Sequence, residues 1–237
     1  MWVRRRTWKF RWESAATINL ACLAVCLVCI MPATTPTFDV LHSVTGIWNL
    51  EDLIGHIVYL SGLVTLTHVM MARLDVPDRR QVIRLRLEPM AALGFPTMVG
   101  LFIAGAPDHH VRDLTLEPAH GWLAWYWLVF CAMAVWILGN LAWALWIIRS
   151  DPGSRRVADL YLAAAVINLA GMASRAAAVV IGPFPERVGY ALICFAMVGY
   201  GIAATYGMRR LRRWWRVHQW KEINRSRPRQ TWLQAPR

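Results

Sequence analysis

No GxxxxGK[ST], HExxH, GxSxG or Rossmann glycine pattern occurs in these 237 residues, so nucleotide hydrolysis and the common hydrolase chemistries have no residues to run on. No internal repeat is present either, which removes support for an inverted-repeat transporter. The cysteines supply no disulfide framework. Cys22, Cys26, Cys131 and Cys194 lie well inside hydrophobic runs and Cys29 near the end of the first, so the CxxxC spacing reads as packing rather than metal binding. A cleavable leader is not expected either. The basic start Arg4-Arg5-Arg6 precedes an apolar run in which Cys22, Cys26, Cys29 and Met31 leave no small-residue cleavage site. That run is expected to stay as a helix.

What the sequence has instead is 57% hydrophobic residues, 14 tryptophans and a mean hydropathy of +0.36, a composition suited to lipid as solvent. A hydrocarbon core of about 30 Å is crossed by roughly 20 apolar residues. Six such stretches are expected, over residues 15–31, 50–72, 90–106, 121–148, 157–182 and 188–207. The third is short and carries Pro96; the Gly182-Pro183-Phe184-Pro185 turn prevents the last two from forming one continuous helix. The fold class expected is therefore all-α: a polytopic helix bundle over residues 15–207, after a basic segment 1–14 and before a tail 208–237.

Lysine and arginine give the orientation, because cytoplasmic flanks collect them. Residues 1–13, 73–87, 149–156 and the tail from Met208 hold 23 of the 26. The alternate loops hold only Arg112 and Arg187, and Arg175 lies inside a span. This alternation expects six spans with both termini in the cytoplasm, in a cell (inner) membrane. On the fourth span Trp122, Trp125 and Trp127 are expected at one interface and Trp143 and Trp146 at the other. At 1.5 Å per residue, Trp122 and Trp146 are about 36 Å apart. Small residues at four-residue spacing, Ala170, Ser174 and Ala178 on the fifth span and Gly199, Ala203 and Gly207 on the sixth, point to an antiparallel pair packed on those ridges.

Ionisable groups inside spans are the candidates for chemistry. On the second span Asp52, His56 and Tyr59 fall within about 60° of one another, while Ser61, Thr65 and His68 lie nearly opposite, which implies a helix buried on both sides. Such groups either hydrogen-bond neighbouring helices or form a ligand, proton or sensing site. Asp52 and Arg175 lie at similar depth, so an ion pair is feasible; Asn140 and Asn168 also match in depth and could bond to each other. A bis-histidine haem is disfavoured because His56 and His68 belong to one helix and point apart. The loop from Pro107 to His120, too small for a domain, could cap the bundle; its His109, His110 and His120, with Asp108 and Glu117, are weak zinc candidates. No cofactor or catalytic residue is expected.

The tail places Arg209, Arg210, Arg212, Arg213 and Arg216 around Leu211, Trp214, Trp215 and His218 at amphipathic spacing. Arginine and tryptophan in that pattern suit the anionic inner leaflet, and nucleic-acid binding is not expected.

The stretch Trp48-Asn49-Leu50-Glu51-Asp52-Leu53-Ile54-Gly55-His56, opening the second span after a first span that ends at Pro32, resembles an actinobacterial family of uncharacterised multi-pass integral membrane proteins. The likeness covers about residues 15–215. Members of that family usually continue into a cytosolic C-terminal domain, so the resemblance implies a stand-alone, regulatory or mobile-element version that needs a protein partner or self-association. The leading expectation is a non-enzymatic membrane protein acting by interaction, as a sensor, regulator or immunity-type factor. A small transporter or channel is the alternative, and a membrane redox or metal-binding protein is a third.

Overall fold

The computed structural model describes residues 11–30, 41–74, 79–106, 109, 111, 114, 119–181 and 184–226. Six long helices account for most of them: α1 (Arg11–Ile30), α2 (Leu50–Met71), α3 (Arg79–Gly105), α4 (Gly121–Ile148), α5 (Arg155–Ile181) and α6 (Phe184–Ser226). A short helical turn covers 41–45. Five helices contain a stretch long and apolar enough to cross a membrane: Leu50–Met71, Gln81–Gly105, Gly121–Ile148, Arg155–Ile181 and Arg187–Gly207. Together they mark an all-α, multi-pass membrane protein. On α1 the apolar stretch is Thr17–Cys29, shorter than the roughly 20 residues a bilayer core asks for.

Two boundaries differ from those the sequence suggested. Helix α3 starts at Arg79 instead of near residue 90 and runs through both Pro89 and Pro96. A proline removes one N–H from the helical ladder, but neighbouring groups can satisfy the carbonyls around the gap. The carbonyls that lose their helical donor are those of Leu85 and Ala92, one turn before each proline; next to them the Arg86 carbonyl accepts the Trp136 indole N–H at 2.7 Å and the Leu93 carbonyl accepts the Thr97 hydroxyl at 2.7 Å. Helix α6 shows no break at residue 207: it is continuous from Phe184 to Ser226, 43 residues. The expected tail residues Arg210, Arg212, Arg213, Trp214, Trp215 and Arg216 lie on this helix, but their side chains are outside the described residues; Arg209 is exposed.

Neighbouring helices close a ring. Helix α1 packs on α2, α2 on α4, α4 on α5, and α5 on α6; α1 and α6 touch only sparingly, and α3 lies outside the ring against α4 and α2. Each contact has a local cause. Asn19 of α1 donates its amide to the Gly62 carbonyl of α2 at 2.8 Å, where a Cβ on Gly62 would come 2.9 Å from Cys22 Cβ. A Cβ on Gly94 of α3 would collide with the Met133 thioether of α4. The α5–α6 pair is antiparallel: Gly189 sits against Gly171 and Ser174, Gly199 against Ala164, and Gly207 against Val157.

The α6 ridge is thus the one expected, and of the α5 ridge Ser174 packs against Gly189 and Ala178 is buried as expected, while Ala170 is not. Ala170 is exposed, and α5 buries Ala164, Ala165, Asn168, Gly171, Arg175 and Ala178. Small residues occur on more than one face of this alanine-rich helix, so spacing alone could not choose between them.

At one end of the bundle, the upper end, α2, α4 and α6 begin and α1, α3 and α5 finish. Asn49 caps α2 there with a left-handed backbone, φ 57°. Its amide donates to the Val111 carbonyl at 2.6 Å and accepts the Val111 N–H at 3.1 Å. Val111 and Leu114 are buried, so this part of the 107–120 loop covers the upper end.

A Cβ at Gly189 would stand 3.0 Å from the Gly171 carbonyl and 3.2 Å from the Arg175 nitrogen, both backbone atoms that cannot swing away. Gly189→Leu is therefore predicted to lower stability by about 1–3 kcal/mol. Gly201→Leu, where a Cβ meets open space, should leave thermal unfolding in detergent nearly unchanged. Equal melting temperatures for the two variants would contradict this packing.

Candidate functional site

Inside the ring, about six residues below the upper end on α2, α4 and α5, the helices leave a cavity of about 50 Å³, room for roughly three or four water molecules. Its lining comes from Cys26 and Leu27 of α1, His56 and Tyr59 of α2, and Trp127 and Phe130 of α4. Met172 and Arg175 of α5 and Tyr190, Ile193, Cys194 and Met197 of α6 complete it.

Arg175 is 2% exposed, and its guanidinium lies over the Trp127 ring, 4.0 Å from the centroid. A charge in a desolvated interior is costly, and the negative face of an indole offsets part of that cost, by roughly 2 kcal/mol or more. Trp127 is 1% exposed, and its indole nitrogen Nε1 has no hydrogen-bond partner among the described residues. Tryptophan at a helix end normally serves as an interfacial anchor. Trp122 and Trp125 fit that role, each 58% exposed; Trp127, expected beside them, instead faces the cavity.

His56 packs in an aromatic box. Its Nδ1 and the Tyr126 hydroxyl share a hydrogen bond of 2.7 Å, and its ring lies 4.9 Å from Trp127 and 4.6 Å from Phe130. One turn along α2, the Tyr59 hydroxyl donates to Asn168 Oδ1 at 2.8 Å, tying α2 to α5 across the ring. Tyr200 of α6 flanks the same Asn168.

The other expected residues sort into separate places. Asp52 is buried in the first turn of α2, where negative charge suits the helix dipole, with its carboxylate 3.4 Å from Asn49 Nδ2. The motif around Asn49 and Asp52 thus builds the start of the helix and holds the loop. His68 is exposed near the far end of α2, away from the cavity. Ser61 and Thr65 are half-buried and bond back to the carbonyls of Ile57 and Ser61 at 2.8 Å each. Helix α2 is therefore buried on one polar face, not on both.

Asn140 and Asn168 do not meet. Asn140 accepts Arg86 Nη1 of α3 at 3.1 Å and donates to its own helix at Trp136 O, whereas Asn168 faces α2. Equal depth fixes height in the membrane but not the direction around the helix axis. Of the loop histidines, His109 and His120 are exposed and His110, with Asp108 and Glu117, lies outside the described residues. No group of three or more metal-ligating His, Cys, Asp or Glu side chains occurs among the described residues. The five cysteines are thiols outside any disulfide, and two of them, Cys26 and Cys194, line the cavity.

Tyr126, Trp127 and Phe130 are the site residues that sequence reasoning missed. Their spacing places them on one face of α4, but on a helix this rich in aromatics the same spacing describes ordinary packing.

The Tyr59–Asn168 bond predicts non-additivity. Tyr59→Phe and Asn168→Leu should each destabilise the folded protein by about 1–3 kcal/mol. The double variant should cost less than the sum by roughly 0.5–1.5 kcal/mol, read from unfolding in mixed micelles; strict additivity would mean that the two groups do not interact. Comparison with protein-family models, with curated proteins and with solved structures returns no match.

Proposed function

We propose that this chain is a six-span protein of the cell (inner) membrane with both termini in the cytoplasm. It acts by interaction, as a sensor or regulatory factor, and catalyses no reaction. The observation that carries this reading is the cavity in which five helices bring His56, Tyr59, Trp127 and Arg175 together. It is a buried, largely apolar site that encloses these polar side chains, with Arg175 held by an aromatic ring.

The orientation rests on the basic residues: 23 of 26 flank what would be the cytoplasmic ends. Helix α1 supplies the sixth crossing, since 20 helical residues span about 30 Å. The basic end of α6 then stands at the anionic leaflet. A protein partner or a second copy of the chain would read the state of the pocket there, as the resemblance of residues 48–56 implies. A carrier is the second reading, and the loose α1–α6 contact is the feature that favours it.

Reporter fusions should place Ala106 outside, and the N-terminus and Arg209 inside. Proteoliposomes should hold pH and ion gradients as long as protein-free vesicles do. A tail found outside while the N-terminus is inside would end the six-span reading, and protein-dependent leakage would replace the sensor with a carrier or channel.

A further inference from the structure

Arginine gathers at the lower end of the bundle, where α4 gives way to α5 across residues 149–154. Trp146, Arg149, Ser150, Pro152 and Arg155 line an open pocket of about 310 Å³ there, room for about ten water molecules. At 1.5 Å per residue Trp146 stands about 28 Å along α4 from Trp127, so this pocket is separate from the cavity inside the ring.

Its donors are fixed and accessible. The Arg149 guanidinium lies over the Trp146 ring, 4.6 Å from the centroid, and its Nε meets Asp159 Oδ1 at 3.2 Å. Arg155 reaches the other oxygen of the same carboxylate through Nε at 3.9 Å. The two arginine side chains are 31% and 65% exposed, and a guanidinium carries four further N–H bonds on its Nη atoms. The turn beneath them is braced. Ser150 and Asp151 donate their N–H groups to the carbonyls of Ile147 and Ile148 at 3.1 Å, and Ser154 and Arg155 donate theirs to the Asp151 carbonyl at 2.9 Å. Donors held in place in this way lose less entropy on binding.

Charge sets the sign of the ligand. Two guanidiniums share the one carboxylate of Asp159, and the residues lining the pocket include no carboxylate. The acidic side chain of the turn itself, Asp151, accepts the Gly153 N–H at 3.0 Å. Guanidinium matches the oxygens of a phosphate in bidentate fashion.

Position sets its source. Helices α4 and α5 both contain membrane-crossing stretches. Trp146, 62% exposed in the last turn of α4 beside the exposed Ile147, is a side chain suited to the head-group level. Basic pockets between membrane helices take lipid head groups, and this one has the room for a phosphodiester with its glycerol.

We propose that the α4–α5 turn binds the head group of an anionic phospholipid, with the phosphodiester on the Arg149 and Arg155 guanidiniums, the glycerol hydroxyls at Ser150 and the acyl chains along α4 beside Trp146. A zwitterionic head would bring an ammonium that finds no carboxylate in the lining. The inference rests on α4 and α5 crossing a bilayer and is independent of the cavity's being a ligand site; the six-span orientation decides only the leaflet, the cytoplasmic one.

The test is native mass spectrometry of the purified full chain, titrated in detergent with dioleoyl phosphatidylglycerol, which counts lipids per chain. Because the basic end of α6 stands at the same leaflet, the readout is the one lipid that this pocket adds. Arg149→Gln and Arg155→Gln should each raise the concentration at which that lipid binds about fivefold, and the double variant should retain one lipid fewer. Arg84→Gln, which removes the same charge from an exposed ion pair on α3, should change neither. Dioleoyl phosphatidylcholine should not replace the lipid, and a tenfold excess of inorganic phosphate should not displace it. Arg155 meets Asp159 only at an exposed 3.9 Å, so Arg155→Gln should melt as the parent does and its weaker binding is not a loss of fold. Equal lipid counts in the parent and the double variant would overturn the proposal. The same weakening in Arg84→Gln would reduce it to net charge, and equal binding of phosphatidylcholine would mean that no anion is selected; either result overturns it. Displacement by inorganic phosphate would make this a site for free phosphate and remove the lipid from it.

Discussion

A guanidinium held within a membrane-spanning helix has to be surrounded before the bundle can be stable, and Arg175 sets that requirement for this chain. Its charge rests on the face of Trp127. That stacking needs α4 and α5 side by side with Trp127 turned inward, which puts Tyr126 and Phe130 beside it and boxes in His56 of α2. The approach of α6 completes the enclosure: at the level of Arg175 there is no side chain on Gly189, so the α6 backbone comes against the α5 backbone. Glycine there serves close approach, and any Cβ would lift α6 away from the charge it covers.

The polar contacts that hold the ring are few and differ in kind. An amide on α1 reaches a carbonyl on α2 through Asn19 and Gly62, and a phenol on α2 reaches an amide on α5 through Tyr59 and Asn168. Asn49 fastens the loop at Val111 over the upper end. In hydrocarbon each such bond contributes modestly, about 0.6 kcal/mol on average. Their value lies in direction, because each specifies which face of a helix turns inward. Helices α1 and α6 touch only sparingly, and Leu27, which lines the cavity from α1, is 40% exposed.

Much of this was legible in the sequence. Apolar length gave five of the expected spans, and the 100° period put Asp52, His56 and Tyr59 on the buried face of α2. The in-span position of Arg175 marked it as a site residue. What failed shares one physical cause: linear spacing gives depth along a helix and leaves rotation about its axis open. Asn140 and Asn168 have matching depths yet face α3 and α2, Ala170 is exposed although Ser174 and Ala178 of the same row pack inward, and Trp127 sits at anchor height while turned into the core. The start of α3 was missed for another reason. Arginines at 79–86 end a hydrophobic run without ending a helix, which runs on through Pro89 and Pro96.

Helices α1 and α6 close the ring by lining one cavity together. Their native cysteines, Cys26 and Cys194, both line it. A short bis-methanethiosulfonate applied to the protein in membranes, followed by peptide mass mapping, tests this directly. The account predicts an intramolecular Cys26–Cys194 cross-link that is lost in Cys194→Ser. Both thiols singly modified but never joined would contradict it.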